Sequence, residues 1–141
     1  MHADHPYAIH DQMVIFLDSL AVLMGCHETA GLTLPDGRRP DVLRFNKKRR
    51  MLFIGDAKHT ERPGSLTTLA RLHAYFKWIS AHADEGGMAV FALCVSRETD
   101  IEAWGSSLEM LAKENSLDGP KCNVSRFPPD LVVLWVTWGT D

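Results

Sequence analysis

The chain has 141 residues, with 15 Lys and Arg against 18 Asp and Glu, a formal net charge of −3, 45% hydrophobic residues and 23% charged ones. That length fits one domain, and the composition excludes wholesale disorder. No apolar run approaches the roughly 20 residues of a membrane-spanning helix, and the start, Met1-His2-Ala3-Asp4-His5-Pro6, lacks the basic residues of a signal peptide, so neither a span nor a leader is expected.

The first ten residues are polar, contain Pro6 and read as a loosely ordered tail that includes His2, His5 and His10. From Asp11 to about Ala30, the apolar residues Val14, Leu17, Ala21, Met24 and Cys26 follow a 3.6-residue period and predict a helix, with Gly25 making its end irregular. Leu32-Thr33-Leu34 reads as a short strand, and Pro35-Asp36-Gly37 as a hairpin turn. A second strand is expected near residues 39–45, then a basic turn, Asn46-Lys47-Lys48-Arg49-Arg50. The third strand, Met51-Leu52-Phe53-Ile54, is apolar throughout, as a strand covered on both faces would be, and runs directly into Gly55-Asp56-Ala57-Lys58.

Pro63-Gly64-Ser65 opens a second helix, with Ser65 as its N-cap and Leu66, Leu69, Leu72 or His73, Phe76 and Ile79 as its buried stripe. Residues 88–95 form a fourth apolar strand. Thr99 or Asp100 caps a helix to about Asn115, with Ile101, Trp104, Leu108 and Leu111 inward. A loop containing Gly119-Pro120 and Pro128-Pro129 precedes the last strand, residues 131–138. The fold class is therefore α/β: a single domain over residues 1–141, with a mixed central sheet flanked by helices on both faces.

The net charge of −3 hides a partition. Residues 1–37 carry five acids and no Lys or Arg, residues 38–71 carry ten basic residues and three acids, and residues 72–141 carry five basic residues and ten acids. The central band is thus +7, which favours a polyanionic partner, although a solvated lysine-rich turn explains the charge equally well. The cysteines Cys26, Cys94 and Cys122 are odd in number and lack metal-site spacing, which fits a reduced, cytoplasmic compartment.

Within the basic band, Asp41 follows Pro40 at the start of the second strand, and Asp56 and Lys58 flank Ala57 at the end of the third. The period of two puts Asp56 and Lys58 on one side of their strand, and a hairpin can bring Asp41 beside Asp56. Two adjacent carboxylates repel each other, and an oxygen-preferring divalent cation relieves that repulsion. A lysine beside them can orient a water or neutralise charge developing on a phosphate. No P-loop, Rossmann or GxSxG string is present. Nor does any Cys/His cluster suit zinc.

Pro40-Asp41, fourteen intervening residues and then Asp56-Ala57-Lys58 resembles the PD-(D/E)xK motif of the restriction-endonuclease-like nuclease superfamily. The resemblance covers about residues 11–95 and implies an αβββαβ core, here with an added helix and strand. It implies DNA phosphodiester hydrolysis by metal-activated water, leaving a 5′-phosphate. Glu28, Asp41 and Asp56 would then hold Mg²⁺ or Mn²⁺ with the carbonyl of Ala57, and Lys58 would position the water. Pro35-Asp36 competes as the first half of the motif, and a glutamate near a helix end is also commonplace on a surface.

The nucleic-acid contacts expected are Arg38, Arg39, Arg44, Lys47, Lys48, Arg49, Arg50, Arg62 and Arg71. Arg71 is taken to share a helix face with Tyr75, and the tryptophans to be core or interface residues. DNA is the expected partner, with RNA an alternative. A homodimer, or a protein partner that supplies targeting, fits the absence of a DNA-reading domain. The rival reading is a nucleic-acid-binding module without catalysis, or a subunit that cuts only with a partner.

Overall fold

The computed structural model describes residues 6–29, 39–59, 63–96, 101–115, 121–127 and 131–138. The elements run in the order α1 (Pro6–Leu23), β1 (Val42–Asn46), β2 (Met51–Lys58), α2 (Leu66–Asp84), β3 (Met88–Ser96), α3 (Ile101–Glu114), β4 (Lys121–Phe127) and β5 (Leu131–Trp138). The five strands form one mixed sheet in the order β1-β2-β3-β5-β4. β1 runs antiparallel to β2, β2 parallel to β3 across the α2 crossover, and β5 antiparallel to both β3 and β4.

The sheet separates two cores, and strand alternation decides which residue joins which. Leu52, Ile54, Phe91, Leu93, Val95, Leu134 and Val136 face α2 and α3, against Leu72, Tyr75, Phe76, Ile79, Trp104, Leu108 and Leu111. Phe53, Ala57, Val90, Ala92, Cys94 and Val133 face α1, against Met13, Leu17 and Ala21. Both faces of β2 and β3 are covered, so both strands must be apolar at consecutive positions. β2 is buried at all eight.

α1 starts at Pro6, not at Asp11, and so takes in His10. A proline suits a first helical position because the missing N–H has no intrahelical partner there. The helix also stops seven residues before Ala30. Gly25 has φ +92°, the Gly25 N–H donates to Val22 O at 3.0 Å, and the Cys26 N–H donates to Ala21 O at 2.9 Å. This paired pattern closes a helix on a left-handed glycine. Glu28 therefore lies beyond the helix, in an isolated antiparallel bridge with Phe45.

Three further expectations shift. Ser65 stands at the α2 N-cap without a side-chain cap hydrogen bond, and Leu66 is 85% exposed. The α2 stripe is Thr68, Leu72, Tyr75, Phe76 and Ile79, which turns Leu66 and His73 away from the sheet. β4 occupies part of the expected loop. It is an edge strand paired only with β5 and largely exposed, so it needs no apolar alternation to form. The expected strand at 32–34, the Asp36-Gly37 turn, Arg38, Arg62 and the caps Thr99 and Asp100 lie outside the described residues.

Candidate functional site

The β1–β2 hairpin sets the site. Its register pairs Val42 with Gly55, so Asp41, one residue before β1, stands opposite Asp56. The Asp41 N–H donates to Asp56 Oδ1 at 3.3 Å, and the Ala57 N–H donates to Asp41 Oδ2 at 2.8 Å. Each carboxylate thus holds the backbone that carries the other. Gly55 permits the close approach, since a Cβ there would lie 3.2 Å from Val42 Cβ and 3.4 Å from Leu17 Cδ1.

Lys58 shares the Asp56 side of β2, and its Nζ lies 2.8 Å from Asp56 Oδ2, with the two side chains only 1% and 2% exposed. Asp56 Oδ2 is buried without a hydrogen-bond partner, so the contact is a close ion pair that leaves acceptor capacity unused. Burial pushes the Asp56 carboxyl up to about 7; Lys58 opposes that shift, and the charge and hydrogen bond of Asp41 add to it.

Sequence reasoning missed one group, His10. Its Nε2 lies 3.3 Å from Asp41 Oδ2, so α1 brings a ring nitrogen to the rim of the acid pair. The signal was present: His10 precedes Met13, Leu17 and Ala21 at helical spacing and continues the buried stripe of α1 as a polar residue. His59 follows Lys58, and its Nδ1 is buried without a hydrogen-bond partner. Tyr75 is wholly buried and its hydroxyl donates to Arg39 O at 3.4 Å, whereas Arg71 is exposed, so the two do not share one surface.

Glu28 is not brought to the pair. It sits opposite Phe45, four residues along β1 from Asp41, or about 13 Å at the rise of a strand. Arg44 is not free for phosphate either: it is paired through Nε and Nη2 with the Asp18 carboxylate of α1, and its Nη1 donates to His27 O at 2.8 Å. Arg39, Lys47, Lys48, Arg49 and Arg50 are exposed.

Among the described residues no group of three or more His, Cys, Asp and Glu side chains is gathered to hold a metal ion. The pair itself fits a hard divalent cation, because Mg²⁺ is held by one or two carboxylates with water and phosphate oxygens completing its shell. Asp56 Oδ2, which contacts Lys58 but has acceptor capacity left, is the atom that such an ion would satisfy. Thiol chemistry is not supported: burial pushes the Cys94 thiol up to about 12, Cys26 is buried with its thiol also raised, and the exposed Cys122 is raised by burial and Glu109. Comparisons with protein-family models, with curated proteins and with solved structures return no match for this chain.

Proposed function

We propose that the chain is a metal-dependent nuclease with a restriction-endonuclease-like core, hydrolysing DNA phosphodiester bonds at Asp41, Asp56 and Lys58. The observation that carries it is the mutual clasp of Asp41 and Asp56 at a hairpin end, with Lys58 Nζ 2.8 Å from Asp56. Asp41 and Asp56, with the carbonyl of Ala57, would hold Mg²⁺ or Mn²⁺, which supplies an activated water and charge neutralisation at the phosphate. Asp56 holds Lys58 in place, and the Lys58 ammonium orients the attacking water and offsets charge building on the phosphate oxygens. The exposed cations of residues 47–50 hold the strand's backbone. A duplex cut needs two sites, so a symmetric dimer belongs to the proposal.

A second reading has its own observation. Asp56 and Lys58 are almost fully buried, as a structural ion pair in a non-catalytic nucleic-acid-binding module would be. Incubating labelled plasmid, linear, single-stranded and branched DNA with Mg²⁺ or Mn²⁺ separates the two. The nuclease reading expects cuts that Asp56→Asn and Lys58→Ala reduce at least about a hundredfold. Binding without cutting by the wild type leaves the module; undiminished cutting by both variants removes the site assignment.

A further inference from the structure

At the end of β1 opposite Asp41, His27, Glu28, Phe45, Asn46, Lys47 and Lys48 line a groove of about 440 Å³. That volume lies in the range of small-molecule sites. Its walls are tied down. The Glu28 N–H donates to Phe45 O at 3.0 Å, and the Phe45 N–H donates to Glu28 O at 2.8 Å. Asn46 Nδ2 donates to Gly25 O at 2.9 Å, and the Arg49 N–H donates to Asn46 Oδ1 at 3.0 Å. These bonds fix Glu28 on one side and the turn bearing Lys47 and Lys48 on the other. This bracing uses one Asn46 Nδ2 hydrogen and one Oδ1 lone pair, so Asn46 keeps one donor and one acceptor, and the exposed Glu28, His27, Lys47 and Lys48 carry the rest of the groove's polar chemistry.

We infer that this groove holds one unpaired nucleotide of the strand crossing the Asp41–Asp56 pair, with guanine its best match. The inference rests on nucleic acid being the ligand of the acid site. Lys47 and Lys48 supply cations for the nucleotide's phosphate, and Phe45 gives the groove apolar surface for the base. The Glu28 carboxylate accepts hydrogen bonds and donates none. Guanine offers it two adjacent N–H donors on its pairing edge, whereas thymine offers one donor between two acceptors. That edge is reachable only when the base is unpaired.

The test is fluorescence anisotropy in chelator, which stops cleavage. The probes are single-stranded oligothymidylate, the same strand with one guanine, and that strand in a duplex. The wild type is expected to bind the guanine-containing single strand roughly tenfold or more above the other two. Glu28→Gln should erase the guanine preference, with oligothymidylate bound at least as well as by the wild type because a carboxylate beside the phosphate path is removed. Lys47→Ala with Lys48→Ala should weaken both single strands and flatten the salt dependence by about one to two contacts. Equal binding of all probes, or variants that bind as the wild type does, overturns the groove. No binding to any probe overturns the nucleic-acid reading as a whole, and with it the groove. The predicted binding pattern together with no cutting in Mg²⁺ leaves the groove standing and removes only the nuclease.

Discussion

Asp56 is where charge and burial conflict most sharply. Its carboxyl is raised from 3.8 to about 7, so the metal-free native state keeps a proton that the unfolded chain releases. Stability from this group is therefore full below about pH 4 and falls as pH rises to about 7, then levels off. Thermal melts in chelator from pH 4 to 8 should show this decline in the wild type and not in Asp56→Asn; parallel profiles would sink the assignment. The partnership with Lys58 gives a second expectation. Removing one member of a buried pair costs about 3–5 kcal/mol, while replacing both by neutral groups of similar size costs much less. In denaturant titrations Lys58→Ala should lose that amount, and Asp56→Asn with Lys58→Met should be more stable than either single change. Additive losses would show the two side chains to be uncoupled.

At the scale of elements, the α1–β1–β2 contact decides the site. Gly55 is the closest point, since its absent Cβ would meet Val42 Cβ, which β1 holds rigidly, and Phe53 Cε1 at 3.1 Å. Gly55→Ala is expected to cost about 1–3 kcal/mol by overpacking and to disturb the Asp41–Asp56 clasp next to it. Unchanged stability would mean that α1 and β1 give way freely. Arg44 joins the same elements through Asp18, at 20% and 41% side-chain exposure. Arg44→Ala should cost at most about 1 kcal/mol and leave DNA affinity almost unaltered, in contrast to the turn lysines. A drop in affinity matching theirs would return Arg44 to the phosphate-binding set. β4 shows the limit of patterning: an exposed edge strand carries no periodic signal, and only its pairing with β5 reveals it.

Across the whole molecule the −3 total is an average over a +7 band that the fold then sorts. Lys58 goes into the core, Arg44 onto α1, and Arg39, Arg71 and the four cations of residues 47–50 to the surface. Binding to DNA should fall with salt, with a slope near 0.9 per phosphate contact, and neutralising the four turn cations should lower the slope by about three to four. A salt-independent affinity would contradict the basic band as a phosphate surface. No helix among the described residues is long and apolar enough to cross a membrane.

The sequence alone determined the apolar strands β2, β3 and β5, the stripe of α3 and the Leu72, Phe76 and Ile79 part of the α2 stripe, and it offered the pairing of Asp41 with Asp56 and Lys58. Short-range periodicity and a hairpin register are local properties that a chain displays directly. Tertiary structure decided how the irregular end expected at Gly25 resolves: α1 closes at Leu23, and Glu28 lies against β1. It also brought His10 to Asp41, withdrew Arg44 to Asp18 and formed the groove beside the turn. Those outcomes depend on which helix packs on which face of the sheet, and one-dimensional spacing carries no record of that distance.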